Sequence, residues 1–214
     1  TANRTITWLV NDGNNDSSAV TSTISFAAVN DAPVLSEASS TLAFTEGDGA
    51  TVIDASLTIT DADHANIGSA TITISSGFQS TEDSLTFANA DGIAGTWDST
   101  NGVLTLSGSA TKAQYETALE SITYNNNSQN PNTTNRTIKW LVNDGNASSS
   151  NVTSTITVAR VNDAPTGSVT ISGTATEDET LNASNTLGDD DGLGTISYQW
   201  RRDDSAIDNA TGYT

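Results

Sequence analysis

The segment Val29-Asn30-Asp31-Ala32-Pro33 occurs a second time as Val161-Asn162-Asp163-Ala164-Pro165. Each copy follows a run rich in Thr, Ser and Val that is typical of a β-strand, and each precedes a second run of this kind. Proline has no backbone N–H and restricts the residue before it, so it ends a strand ladder. The two copies therefore predict two joints between structural units.

The joints are part of a longer internal repeat. Residues 1–33 align without a gap with residues 133–165, at an offset of 132 residues, and 25 of the 33 positions are identical. Because the segment 34–165 is also 132 residues long, it contains one complete repeat unit. We therefore expect three units. They are the C-terminal part of a preceding module in residues 1–33, a complete module in residues 34–165, and the N-terminal part of a following module in residues 166–214, which is either truncated or completed by a neighbouring chain.

Composition excludes several classes of function. The 214 residues include 26 acidic and 7 basic side chains, for a net charge of −19. Nucleic acids and anionic membranes recruit Lys and Arg, so neither is an expected partner. There is no cysteine, which excludes a disulfide scaffold and a thiolate metal site. No apolar run reaches the roughly 18 residues that a membrane-spanning helix needs, so we expect no membrane insertion.

The hydrophobic pattern predicts an all-β fold with one short helix. Apolar residues alternate with polar ones over Ala70–Ile74 and over Ile138–Val142, as in half-buried strands. Asn101-Gly102 lies between Trp97 and the alternating run Val103–Leu106 and favours a tight hairpin. The exception is a capping box of Thr111 and Gln114, which predicts a helix in the complete module.

The end of the complete module resembles a cadherin repeat. The resemblance rests on the turn Asn143-Asp144-Gly145, the strand Val152–Val158 and the joint that follows, in the family's order. In the third unit, Ile196, Tyr198 and Trp200 share one face, which resembles the central strand of an immunoglobulin-like sandwich. The chain as a whole resembles the tandem cadherin-like and immunoglobulin-like repeats of giant bacterial surface proteins, including adhesins exported by type I secretion.

This resemblance implies a row of tandem cadherin-like and immunoglobulin-like β-sandwich modules, with calcium ions held at the joints. It implies an extracellular or bacterial cell-surface location and a structural role, as a calcium-rigidified extender or assembly module of an adhesin-like or filament-like protein. The expected partners are neighbouring modules of the same chain or further copies of it.

The same resemblance implies a set of oxygen ligands at each joint, as calcium prefers. At the first joint they are Asn30, Asp31, Asp61, Asp63 and Asp144. At the second joint they are Asn162, Asp163, Glu46, Asp189 and Asp191. The first Asp of the cadherin joint is absent, with Ala28 or Arg160 near its position, so we expect one or two ions per joint. The alternative is that these residues only form turns, for which Asp and Asn are also favoured.

Two other functions are weighed against this hypothesis. A carbohydrate-binding module would stack sugar rings on an exposed aromatic side chain, for which Trp97 is the best candidate. An enzyme is not expected, because the chain has one histidine, two lysines and no nucleophile elbow. No catalytic residues are therefore assigned.

Overall fold

The computed structural model describes residues 2–212, which contain seventeen strands and one helix. Residues 2–33 form one hairpin, of β1 (Arg4–Trp8) and β2 (Val20–Ile24). The complete module contains β3 (Val34–Ser36), β4 (Thr41–Thr45), β5 (Thr51–Val52), β6 (Thr58–Thr60), β7 (Asn66–Ser76), β8 (Asp83–Thr86), β9 (Ala94–Asp98), β10 (Val103–Thr111), α1 (Lys112–Glu120), β11 (Thr123–Asn126), β12 (Arg136–Asn143) and β13 (Val152–Ala159). The third unit contains β14 (Val169–Ser172), β15 (Asn182–Asn185), β16 (Arg201–Arg202) and β17 (Ser205–Ala206).

The complete module is a β-sandwich, which confirms the predicted all-β class. One sheet has six strands in the order β4-β13-β12-β7-β10-β9, and a smaller sheet has the order β5-β11-β8. Strands β3 and β6 form a separate antiparallel pair. All neighbours in the large sheet are antiparallel except β4 and β13, which run parallel from Thr41 opposite Thr155 to Thr45 opposite Ala159.

The core follows from the period-two pattern read in the sequence. Ile138, Trp140 and Val142 alternate along β12 and are completely buried, as side chains on one face of a strand must be when that face is covered. Tyr124 of the smaller sheet meets Phe44 of the large sheet edge to face, with ring centroids 5.0 Å apart. The two sheets therefore share one continuous apolar core.

The predicted helix is present and its capping box is complete. The Thr111 hydroxyl accepts a hydrogen bond from the Gln114 amide, and the Gln114 side chain accepts one from the Thr111 amide. These bonds satisfy two donors that a helix N-terminus otherwise leaves unpaired. Tyr115, Ala118 and Leu119 are buried on one face of α1, which packs against β6 and β10.

Two buried polar clusters tie β12 and β13 to the rest of the module. Arg136 is fully buried, and its guanidinium donates to Asp83 at 3.0 Å. The second cluster begins at Trp140, whose indole donates to the Ser154 hydroxyl at 2.9 Å. That hydroxyl donates in turn to Asp54 at 2.7 Å. Both carboxylates come from the body of the module, so the hairpin of β12 and β13 is held by polar as well as apolar contacts.

The Asn101-Gly102 turn joins β9 and β10 as predicted. Gly102 has a φ of 69°, a conformation that favours glycine. A Cβ atom at this position would lie 2.9 Å from Cγ of the Phe78 ring, so the glycine is also required by packing.

The third unit differs from its prediction in one respect. The sequence predicts a strand through Ile196 and Trp200, but in the described residues no strand lies between β15 and β16. After this segment, backbone hydrogen bonding of the strand type starts at Trp200, whose amide donates to the Ala210 carbonyl at 3.0 Å. In the described part of the chain, no helix is long and apolar enough to cross a membrane.

Candidate metal centre

The first joint is built around the turn Asp61–His64, which follows β6. The Asp61 carboxylate accepts hydrogen bonds from the amides of Asp63 at 3.0 Å and His64 at 2.7 Å. This is the local side-chain-to-backbone bonding that makes Asp a turn former. Burial raises the pKa of Asp61, but these hydrogen bonds outweigh it, and the pKa lies below its ordinary value. The carboxylate is therefore held in its charged form.

The joint segment lies directly on this turn. The amide of Asp31 donates to the Asp63 carboxylate at 3.2 Å. The side-chain amide of Asn30 donates to the Asp144 carboxylate at 3.0 Å, across 114 residues of sequence. The structure thus brings all five residues predicted for the first joint, Asn30, Asp31, Asp61, Asp63 and Asp144, into one hydrogen-bonded cluster.

Asp144 reaches the joint from the turn after β12. Its Oδ1 accepts the amides of Ala147 at 2.7 Å and Asn146 at 2.6 Å, and these bonds lower its pKa. Its side chain has no exposed surface. One carboxylate oxygen is used to shape the turn, and the other points to Asn30 and His64.

Two residues of this cluster escaped the sequence analysis. His64 is not among the predicted ligands, yet its Nδ1 lies 3.2 Å from Asp63 and 3.6 Å from Asp144. Lys112, at the start of α1, donates through Nζ to the backbone carbonyls of Asp61 and His64, each at 3.0 Å. A signal for His64 existed in its position next to Asp63, whereas nothing in the sequence connects Lys112 to a turn 48 residues away.

The second joint repeats the central contacts of the first. The amide of Asp163 donates to the Asp191 carboxylate at 2.7 Å, as Asp31 does to Asp63. The amide of Asp191 donates to Asp189 at 2.9 Å, as Asp63 does to Asp61. The predicted ligands therefore occupy equivalent places in two joints that differ in the sequence of the unit that follows.

The two remaining predicted residues of the second joint are Glu46, in the complete module, and Asn162, in the joint segment. Glu46 accepts a hydrogen bond from the Val161 amide at 3.0 Å, and the Asn162 side chain donates to the carbonyl of Asp163 at 2.7 Å. A direct bridge between the two units comes from Asn130, whose amide donates to the carbonyl of Asp190 at 3.0 Å.

The donor atoms fit a divalent cation better at the first joint than at the second. Among the described residues, the one group of three whose ligand atoms all lie within 4.8 Å of one another is Asp61, His64 and Asp144. Each joint also has a buried carboxylate oxygen with no hydrogen-bond partner in the described part of the chain, Asp61 Oδ2 and Asp163 Oδ2. A buried charged oxygen without a partner is costly, and a bound cation removes that cost.

Trp97, the candidate residue for sugar stacking, is only partly exposed. Trp97 is half-buried against the core, and its ring meets Phe78 edge to face at 6.2 Å. The more exposed indole is that of Trp8, with 57% of its surface accessible.

A search of known protein families found no model that matches the chain, and no curated protein sequence matches it.

Proposed function

We propose that the chain is a structural extender or assembly module of an extracellular or bacterial cell-surface protein, in which calcium at the joints fixes the angle between successive sandwiches. The observation that carries this proposal is the repeated joint geometry. In both joints the Asp of the Asn-Asp-Ala-Pro segment donates its amide to an Asp-x-Asp turn of the next unit. A flexible linker has no reason to repeat such a contact.

The ligand set of the first joint is composed of oxygen donors. Asp61 and Asp144 each offer a carboxylate oxygen within 4.8 Å of the other, close enough for the two charges to repel, and a divalent cation converts that repulsion into attraction. Asp63 adds a third carboxylate, which accepts the amide of Asp31. We place His64 outside the calcium ligand set, because calcium takes oxygen donors and Gly192 occupies the equivalent position of the second joint. His64 then orients Asp63 and Asp144.

Calcium binding at a joint has two consequences that can be measured. Because the cation binds the folded state, it raises the melting temperature. Because it connects two units, it narrows the distribution of angles between them. The affinity expected for an extracellular calcium module is about 0.1–1 mM.

The test is a calcium titration of the 214-residue chain, followed by thermal melting and small-angle X-ray scattering. We expect calcium to raise the melting temperature and to give a single extended envelope, and EDTA to reverse both. Identical melting curves and scattering profiles in calcium and in EDTA would overturn the proposal. Asp98→Asn is the control variant, since Asp98 shapes a turn at Thr100 and Asn101 away from both joints.

A further inference from the structure

The first joint has a nitrogen donor that the second joint lacks. His64 ends the acidic turn of the first joint, whereas Gly192 occupies the equivalent position after Asp189 and Asp191. His64 is also the single histidine of the 214 residues. Because calcium takes oxygen donors, an imidazole among carboxylates suits a different class of cation, the borderline divalent metals of which zinc is typical.

The imidazole of His64 faces two carboxylates at close to the spacing of metal ligands. Its Nδ1 lies 3.2 Å from Oδ1 of Asp63 and 3.6 Å from Oδ2 of Asp144. Two ligand atoms that bind one zinc ion tetrahedrally, each at about 2.0–2.1 Å from the ion, lie about 3.3–3.4 Å from one another. A zinc ion would therefore enter between these atoms with only small shifts of the side chains.

Asp61 supplies a third ligand. Asp61, His64 and Asp144 each offer one ligand atom, and these three atoms lie within 4.8 Å of one another. Oδ2 of Asp61 is buried and has no hydrogen-bond partner among the described residues. This oxygen is independent evidence for a ligand, because a buried charged oxygen without a partner is costly.

The donors already present at the site do not satisfy these carboxylates together. Nδ1 of His64 carries at most one proton, although two carboxylates lie within 3.6 Å of it. Lys112 brings a positive charge to the turn, but its Nζ donates to the backbone carbonyls of Asp61 and His64. A metal ion placed between the side chains of Asp61, His64 and Asp144 contacts all three at once.

The candidate ligands are held in place before any ion binds. In Asp61 and in Asp144, Oδ1 accepts two backbone amides of the turn that the residue begins. The side chain of Asp144 has no exposed surface, which restricts it further. Ligands that are fixed in this way lose little conformational freedom on binding, and this favours a higher affinity.

The second ring nitrogen of His64 has a neighbour that can orient the ring. Nε2 lies 3.4 Å from the side-chain nitrogen of Asn146. A metal-bound imidazole carries its proton on the other nitrogen and usually donates it to an oxygen. A half-turn of the Asn146 amide presents its oxygen to Nε2, and gives up the bond that Asn146 donates to Asn30 at 3.1 Å. The ring can therefore bind a metal through Nδ1 while Nε2 keeps a partner.

We propose that the first joint also binds a divalent ion of the zinc class, through Nδ1 of His64 and the carboxylates of Asp61 and Asp144, with a further oxygen from Asp63 or water. These three ligands all belong to the complete module, whereas the calcium set of this joint includes Asn30 and Asp31 of the joint segment. Zinc binding therefore does not rest on the proposed function, but competition between zinc and calcium for Asp61 and Asp144 does.

The test is an isothermal titration of the 214-residue chain, prepared without a histidine tag, with ZnCl₂ in metal-free buffer. The variants are His64→Gln, which removes the imidazole, and Asp144→Asn, which keeps an oxygen for the backbone bonds of the turn. Circular dichroism and thermal melting in EDTA check that each variant is folded.

Asp12→Asn is the matched control for Asp144→Asn. Asp12 is the counterpart of Asp144 in the repeat, and it accepts the amides of Asn14 and Asn15 in the same kind of turn. The control therefore removes the same charge from the same local structure at a place where the chain has no histidine.

We expect one tight zinc site per chain. His64→Gln and Asp144→Asn should each weaken zinc binding by about tenfold or more, and Asp12→Asn should change it by less than about twofold. Zinc binding that His64→Gln leaves unchanged would overturn the proposal and make the binding an adventitious property of the carboxylates. A chain that binds no zinc would also overturn it, and the contact of His64 with Asp63 would then be an ordinary ion pair.

The single histidine allows a direct measurement of the coordinating atom. In protein with isotope-labelled histidine, zinc should shift the nuclear magnetic resonance of Nδ1 much more than that of Nε2, since Nδ1 faces the carboxylates. A shift confined to Nε2, or no shift at saturating zinc, would contradict the proposed coordination.

Calcium distinguishes this proposal from the proposed function. If both hold, calcium in excess weakens zinc binding, and Asp31→Asn lowers the calcium response but leaves the zinc affinity within about twofold. Zinc binding through His64 that calcium does not change would contradict calcium binding at Asp61 and Asp144 and support the zinc site. A calcium response in a chain that binds no zinc would overturn the zinc site and leave the proposed function supported.

Discussion

The side-chain amide of Asn30 donates to the carboxylate of Asp144 at 3.0 Å, although 114 residues separate them. Asn30 belongs to the joint segment, and Asp144 belongs to a turn at the end of β12 in the module that follows. The contact fixes where the incoming chain meets the sandwich. It also places an amide next to a carboxylate whose other oxygen is already occupied by two backbone amides.

Replacement of Asp144 by Asn should abolish the calcium response of the first joint. The amide oxygen can still accept the backbone bonds of the turn, but the charge that attracts the cation is lost. We expect the calcium-dependent rise in melting temperature to fall by at least half, whereas in EDTA the variant should lose only the bond that Asn30 donates to Oδ2 of Asp144. Differential scanning calorimetry measures both, and a full calcium response in this variant would contradict the assigned ligand set.

Replacement of His64 by Gly tests whether the histidine orients the ligands and does not bind calcium itself. Because the second joint has Gly192 at this place, the variant should retain calcium affinity within about threefold, a change of well under 1.4 kcal/mol. Binding of Zn²⁺, which accepts imidazole nitrogen, should weaken much more. Isothermal titration with each ion gives the two affinities, and an equal loss for both would make His64 a ligand.

The two hairpins offer a matched pair of substitutions. Trp140→Ala removes a completely buried indole and should lower the free energy of unfolding by about 3–5 kcal/mol. Trp8→Ala changes the same residue in an uncovered hairpin and should cost the complete module less than about 0.5 kcal/mol. Urea denaturation of dilute protein in EDTA measures both, and similar losses would contradict the burial that separates them.

Acid should weaken the module through Asp54. Burial raises the pKa of this carboxyl, but hydrogen bonds from Ser56, Ser154 and Ser40 outweigh it, so the pKa lies below the ordinary 3.8. Its contribution to stability is complete above pH 3.8 and is lost as the pH falls through the lowered pKa. We therefore expect Asp54→Asn to be less stable near neutral pH and to lose less stability below pH 3.8. Denaturation curves between pH 7 and pH 2 give the comparison.

Much of this architecture follows from local patterns in the sequence. The period-two alternation around Trp140 predicts its burial, and the Thr111–Gln114 pair predicts the start of α1, because both signals act within a few residues. The approach of Asp144 to Asp61 and Asp63 was expected from a resemblance and not from spacing, since Asp144 lies on a separate turn. The structure brings them together.

The features that escaped prediction are long-range. Nothing near Arg136 in the sequence indicates that its partner is Asp83, and nothing near Lys112 indicates that it binds the acidic turn. Trp8 and Trp140 have almost identical local sequences, yet of these two described residues only Trp140 is buried. The burial of a strand's apolar face depends on which part of the protein covers it, and the local sequence of the strand does not determine this.

The parallel pairing of β4 with β13 has a mechanical consequence. These strands lie near the two ends of the complete module, and five successive residue pairs join them, from Thr41 with Thr155 to Thr45 with Ala159. A pull on the two ends of the module draws parallel strands past one another in shear, so the rungs of this ladder bear the load together. An antiparallel pair loaded in the same way would unzip one rung at a time. The complete module should therefore resist being stretched from its two ends.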